Sequence, residues 1–417
     1  MISLMRRNLF NPVLFGKALA SASQIITIII VGQTLDANLA NAIFSLLAIS
    51  TIISAIASFG ANGALVPFLY KNAELEAPIV AILLLMKIIV ILTCTAIFTL
   101  MQKSSDIIPL LLFWTSLTCS LQFIDYIAES RGPQEVFEIS RLKVIVFSIG
   151  LPLKITLIYT SIHVFLISLY IEWLAVWAIY IPRKLKFINL YKEPFIKALG
   201  MLRIFLIESS WVWASTILNL GWTRIYFFIV NAYMGPTAAN AYFTILRVID
   251  GLMILPNSIA MMHFPKILKE HVALNQAALQ NAKKFFYRDV ILTSIGTAII
   301  ITIACVTLAA MHNVAIYEIL TISSLVFIAA VFTFCRVLIS REIILINALP
   351  LSLLSYLSAI GACFGALLII GMDTIFDALL GYLAFATAAI LSPIYLLYIK
   401  HKNHIHKNIN VTGALSK

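Results

Sequence analysis

Carboxylates are scarce in this chain: 18 Asp and Glu stand against 29 Lys and Arg, and charged residues of either sign make up 11% of 417 residues. That is too little polar sequence to cover a soluble globule. With 62% hydrophobic residues and a mean hydropathy of +1.01, the bilayer is the solvent this chain is built for. Cysteine is sparse too. Cys94, Cys119, Cys305, Cys335 and Cys363 all fall inside apolar runs, at spacings that give neither a disulfide framework nor a metal site, and read as small core residues. Long outer loops are missing: the segments around Asp36, Lys103, Thr160, Gly235, His312 and Asp373 are very short. This excludes the large external domain in which a polymerase or membrane glycosyltransferase would keep its carboxylates. No HExxH pair, Gly-Lys-Ser/Thr phosphate loop or Ser-His-Asp arrangement occurs, so the expectation is a protein that is not an enzyme and has no metal, cofactor or ATPase of its own. His401, His404 and His406 read as part of a solvated basic tail. Arg6-Arg7 reads as the positive flank of a first helix and not as an export signal.

About 20 apolar residues suffice to cross a bilayer as a helix. Twelve such runs are present, at 18–35, 42–68, 78–100, 107–127, 142–159, 163–181, 209–231, 238–263, 288–311, 315–339, 346–371 and 376–399. With the N-terminus placed inside, 24 of the 29 basic residues fall in inner segments and only Lys103 in an outer loop. This asymmetry predicts both termini in the cytoplasm, and it makes the net charge of +11 a statement about topology and not about nucleic acid.

An internal repeat sets the architecture. Ala40-Asn41-Ala42-Ile43-Phe44 lines up with Ala239-Asn240-Ala241-Tyr242-Phe243 at an offset of 199, and Pro67 to Lys71 answers Pro265 to Lys269. Chance likeness between apolar helices is the competing account. Six spans separate the copies, so the halves share one orientation, as in transporters with parallel repeats. The expected fold is all-α and polytopic, with about 12 transmembrane helices in two six-helix bundles related by a pseudo-two-fold axis. Residues 1–181 form the first bundle, 182–204 a basic amphipathic linker on the cytoplasmic membrane surface, 205–399 the second bundle and 400–417 a cytoplasmic tail. The stretch Pro265 to Asp289 reads as a second interfacial connector.

The hairpin from Ser209 to Pro265, turning at Gly235-Pro236, carries the candidate chemistry. Each limb holds an arginine inside its apolar run, which is costly in hydrocarbon and marks a functional residue. In the second limb Asn240, Thr244, Arg247, Asp250 and Asn257 share one helical stripe, where Asp250 stands one turn from Arg247 as a local partner. The first span repeats that spacing with Lys17, Ser21, Gln24, Thr27 and Thr34, and Ser50, Ser54, Ser58 and Asn62 make a row that small-residue helix packing also explains. Arg224 and Lys154 lie close enough to helix ends to snorkel outward, whereas Arg247 and Lys87 are nearer mid-membrane. The deep acids are Glu172 and Asp250. Against Lys87, Lys154, Arg224 and Arg247 they leave a surplus of two positive charges, which suits a visiting anion such as a diphosphate. Arg224, Arg247 and Asp250 map onto Ile25, Ala48 and Thr51 of the first repeat, so the scaffold is symmetric and its charge is not.

Twelve spans, two halves, Trp222-Thr223-Arg224 to Gly235, Ala241-Tyr242, Phe264-Pro265, and Phe59-Gly60 with Pro67 together resemble the Wzx-type O-antigen flippases. These belong to the polysaccharide transporter family, in the MOP superfamily with the lipid II flippase and the multidrug and toxin extruders. The resemblance implies a bacterial inner-membrane protein that moves undecaprenyl-diphosphate-linked oligosaccharide to the periplasmic leaflet by alternating access. Arg224, Arg247, Lys87, Lys154, Asn240 and Asn257 would face diphosphate and sugar, and Asp250 and Glu172 would balance charge or couple to H+ or Na+. It also implies membrane lipid as a partner, with a polysaccharide polymerase and chain-length regulator nearby. A multidrug or cation antiporter of the same superfamily is the alternative. Such transporters often carry a carboxylate in the first span, where this chain has only Asp36 at the outer end.

Overall fold

The computed structural model describes residues 12–102, 107–184, 192–274, 276–311, 316–346, 348 and 350–414. Arg6, Arg7, Lys103, His312 and the side chains of Asn62, Cys305, Glu318 and the tail histidines fall outside what it describes. The helices are α1 (Pro12–Thr34), α2 (Ala37–Ile56), α3 (Ala61–Lys71), α4 (Glu76–Gln102), α5 (Ile107–Ser120), α6 (Ile124–Arg131), α7 (Pro133–Thr160), α8 (Ile162–Ser168), α9 (Ile171–Lys184), α10 (Lys192–Leu252), α11 (Ile254–Val272), α12 (Gln276–Met311), α13 (Ile316–Leu345), α14 (Pro350–Ile370) and α15 (Ile375–Ala414). The described residues contain 11 stretches long and apolar enough to cross a membrane. The longest, Ile196–His271 with 76 residues, is two passages, because the chain reverses inside α10.

The reversal sits at Gly235, whose φ of 79° and ψ of 176° break the helix ahead of Pro236. Positive φ is cheap only for glycine. Beyond the turn the two limbs zip together: Tyr226 meets Tyr242 at 5.4 Å between ring centroids, and Phe227 meets Phe243 at 5.1 Å. This hairpin packs against α1, α2 and α3 of the first half and α14 of the second. Phe44 stacks on Phe243 at 4.7 Å. These two phenylalanines are repeat equivalents, and a residue that touches its own equivalent lies on the axis relating the copies. The repeat is therefore visible in space as well as in sequence.

Several helices lining the interior are broken. α2 and α3 are parted at Phe59 (φ 49°) and Gly60 (φ 72°), α5 and α6 by the turn Leu121–Phe123, and α10 and α11 at Met253. A break frees backbone carbonyls, which are tolerated at membrane depth only when something donates to them. Here indoles do so: Trp213 Nε1 donates to Ile56 O at 2.8 Å and Trp177 Nε1 to Leu121 O at 2.8 Å, while Ser209 Oγ donates to Phe59 O at 3.0 Å.

The described part of the linker is helical and docked along one face. Residues from Lys192 onward are the start of α10, and one side of them packs on the first half. Ala198 and Phe205 are fully buried, Phe205 packs on Phe68 at 5.1 Å, and Lys197 pairs with Glu74 at 2.9 Å. The connector at Pro265 to Asp289 is likewise the end of α11 and the start of α12. Apolar residues spaced helically on a basic segment give the same pattern whether the opposing surface is lipid or protein; here Ala198, Leu202 and Phe205 face protein, while Ile196, Leu199 and Ile204 stay exposed.

At Gly60 a Cβ would stand 2.6 Å from Ser209 O, on a residue with φ of 72°. Gly60→Ala should therefore cost about 2 kcal/mol or more through backbone strain alone, whereas Ser209→Ala, which removes one hydrogen bond, should cost about 1 kcal/mol. Thermal unfolding of the detergent-solubilised variants checks the order; equal losses would remove the argument for a strained close approach.

Candidate functional site

A cavity of about 450 Å³ lies between the halves. Its wall comes from α1, the α2–α3 and α5–α6 breaks, α4, α9, both limbs of α10, α11, α13 and α14. Among the described residues this wall holds six cations, Lys17, Lys87, Arg224, Arg247, Arg336 and Arg341, and two carboxylates, Asp125 and Asp250. The surplus is four positive charges at the wall, larger than the two the sequence suggested.

Four of these charges stand at mid-depth. Arg224, 1% exposed, turns inward and makes an ion pair from Nη2 to Asp250, leaving its Nε and Nη1 without hydrogen-bond partners. It does not snorkel, and Asp250 is not the local partner of Arg247. The i, i+3 spacing allowed that pairing, but the antiparallel limb brings Arg224 to Asp250 first. Arg247 instead donates from Nη2 to Thr51 Oγ1 at 3.0 Å in the first half and stacks on Phe243 at 4.9 Å. Lys87, 1% exposed, lies 4.8 Å above the ring centre of Phe123 and has no carboxylate partner among the described residues.

A second group lies toward the other end. Lys17 and Lys143 both pair with Asp125, Lys17 at 3.2 Å; Lys17 Nζ also lies 2.6 Å from Met261 Sδ on α11, and Lys143 sits 4.6 Å over Trp173. Arg341 of α13 pairs with fully buried Glu129 of α6 at 3.0 Å, bridging the halves. Arg336 Nη1 donates to Asn219 Oδ1 at 3.0 Å and its guanidinium stacks on Tyr356 at 5.3 Å. Lys17, Lys143, Arg336 and Arg341 are among the 24 basic residues that the positive-inside count assigns to inner segments. A signal was present for α13, where Arg336, Ser340 and Ile344 recur every four residues on the face that lines the cavity.

Of the expected site residues, the structure brings Arg224, Arg247, Lys87, Asp250 and Asn257 to one wall. Gln24 of the first-span stripe and Ser54 and Ser58 of the serine row join them. Three others it does not. Lys154 and Glu172 are each 2% exposed and pair with one another at 2.5 Å inside the first half, where Gly150 leaves the room the Glu172 carboxylate occupies. Asn240 donates from Nδ2 to Ala37 O at 2.9 Å near the turn end of the hairpin. A stripe assigns a face but not a depth, and Asn240 shares Arg247's face two turns closer to Gly235.

No protein-family model and no curated protein sequence matches the chain. Solved structures do. The chain is similar to the MATE multidrug transporter DinF-BH (TM-score 0.66, 12% identity, 95% of this chain and 94% of that one). It is also similar to a mutant of the Vibrio cholerae MATE transporter VcmN (TM-score 0.63, 15% identity, 93% and 95%). A third match is a MOP superfamily transporter from Pyrococcus furiosus, described as having a binding pocket of reverse polarity that suggests a different function (TM-score 0.57, 12% identity, 92% and 92%). At such identities the likeness establishes the fold, which is MATE-like over nearly the whole chain.

The Lys154–Glu172 pair separates a structural role from one in the cavity. Lys154→Met alone should cost about 3–5 kcal/mol by leaving a buried carboxylate unpaired, and adding Glu172→Leu should recover most of it. Thermal unfolding of the singles and the double measures this. A double variant as unstable as the single would show that the pair is not what holds Glu172.

Proposed function

We propose that this protein carries a phosphate-bearing, lipid-linked oligosaccharide across the bacterial inner membrane, with the diphosphate held by Arg224, Arg247 and Lys87. The observation that carries the reading is the wall with six cations against two carboxylates. In a cavity screened from bulk water, that charge attracts an anion and repels a cationic drug. Guanidinium groups with free donors are suited to phosphate oxygens, because their planar forks bind bidentately. Sugars would lie beside them along Gln24, Gln122, Asn219 and Asn257, with the rings of Tyr126 and Tyr356 as apolar faces. The polyprenyl chain would stay in lipid.

The geometry fits alternating access. Between the charged wall and the turn at Gly235 stand Phe44, Tyr226, Phe227, Tyr242 and Phe243, all at most 1% exposed, which close the cavity toward that end. Its other end runs to Arg341. Under the positive-inside assignment the closed end is periplasmic and both termini are cytoplasmic, so the cavity as seen leans toward the leaflet where such a substrate would be made. Rocking one half against the other would exchange the closed end.

Multidrug antiport is the second reading, and the multidrug assignment of DinF-BH favours it. The reversed pocket polarity described for the Pyrococcus furiosus transporter is a precedent for a MATE-like fold turned to other cargo. Transport assays in cells and vesicles separate the two. Replacing both Arg224 and Arg247 with Gln should abolish surface polysaccharide while lipid-linked units accumulate on the inner leaflet, a loss of about 10²-fold or more if each arginine contributes about 1.5–3 kcal/mol of charge-assisted hydrogen bonding. Normal surface polysaccharide in that variant, or efflux of cationic drugs by the purified protein without movement of lipid-linked sugar, would overturn the reading.

A further inference from the structure

The mid-depth wall has donors to spare and few acceptors. Lys87 comes from α4, Arg224 and Arg247 from the two limbs of α10, and Cys119 of α5 lines the same cavity. Asp250, the one carboxylate that meets them at the wall, is taken by Arg224. Arg224 Nε, Arg224 Nη1 and Arg247 Nε are buried without a hydrogen-bond partner among the described residues, and Lys87 lies over the Phe123 ring at the cavity wall. Buried donors left unmade are expensive, and like charges facing one another grow more costly as the dielectric falls. A cavity built this way needs a counter-ion whenever no cargo fills it.

We propose that Lys87, Arg224 and Arg247 form a binding site for a small inorganic anion, of chloride or phosphate type, which occupies the cavity when no cargo is there. This stands on the charge and burial of the wall and holds whatever the cargo is. A carrier of this kind closes around cargo in one direction and around the small anion in the other. The anion neutralises part of the surplus while the cavity is shut off from water, and leaves when a larger anion competes for the same donors.

The test uses the purified full chain in detergent, compared in sodium chloride, sodium phosphate and sodium gluconate at equal sodium and ionic strength. Thermal unfolding should rise by about 2 °C or more in chloride or phosphate relative to gluconate, and the arm that rises identifies the anion. Lys87→Gln and Arg247→Gln should each weaken the half-saturating concentration by about tenfold or more. Lys197→Gln, at the exposed pair with Glu74, should leave it unchanged. A measurement free of substitutions runs beside it: modification of Cys119 by an anionic methanethiosulfonate, read by peptide mass, should slow several-fold when the effective anion is present. Equal unfolding temperatures in all three salts, a shift that survives both Gln variants, or Cys119 reactivity indifferent to the anion would overturn the proposal.

Discussion

A charge taken out of water must be paired, stacked or wetted, and this constraint sorts every ionisable side chain in the membrane-embedded part of the molecule. Inside the first half, and where the wall reaches Lys17, it is met by pairing. Lys154 closes on Glu172, and Lys17 and Lys143 share Asp125, with Trp173 under the Lys143 ammonium. Around Arg224, Arg247 and Lys87 it is met only in part, by Asp250 on Arg224, Thr51 on Arg247 and the Phe123 ring beneath Lys87. The difference between these regions is one of satisfaction: ion pairs in the first, cations with unused donors in the second. Buried pairs add little net stability but are costly to break singly. The half-satisfied region carries donors that the described side chains leave unmet.

The broken helices and the cavity are one feature. Ser58, Ser120, Gln122, Phe123 and Met253, all at or beside breaks, line the wall. Irregular backbone at membrane depth survives where it faces a polar space or a donor, and Trp213 and Trp177 supply donors from helices packed behind. A tryptophan can do this because its ring is apolar enough for the core while its N–H reaches a carbonyl. The breaks and the cavity thus share residues, and the indoles satisfy carbonyls that the breaks free.

The sequence displayed the membrane class, the reversal at Gly235, the repeat and the two arginines of the hairpin, because each is a local pattern: run length, a Gly-Pro turn, a motif at fixed offset, a charge inside an apolar run. It did not display partners. Arg224 and Asp250 are joined across a hairpin, Arg341 and Glu129 across 212 residues, and no periodicity predicts which of two cations a carboxylate will choose. Depth was misread for the same reason. Lys17, Lys143, Arg336 and Arg341 lie near the ends of apolar runs, where a charge flanking the membrane and a charge turned into a cavity look alike. Lys154 erred in the other direction, since a lone cation in a span reads as functional until its counter-charge, 18 residues away at Glu172, is seen against it.

Aromatic packing and ion pairing are among the contacts that join the halves, and the two respond differently to water. Near the Gly235 end the joint is aromatic, with Phe44 on Phe243 and Tyr226 and Tyr242 behind it. Each ring pair adds about 0.5–1.5 kcal/mol beyond its buried area, and separating them exposes apolar surface with no compensation. Toward the other end Phe205 packs on Phe68, and the joint also carries the Arg341–Glu129 pair. Its ions attract strongly while dry, but if the halves part there, water enters and returns the hydration both ions gave up on burial. The Coulomb loss and the hydration gain offset each other, so the ionic joint resists opening less than its distance alone suggests. Parting an aromatic contact therefore costs more than parting this ion pair once water can enter.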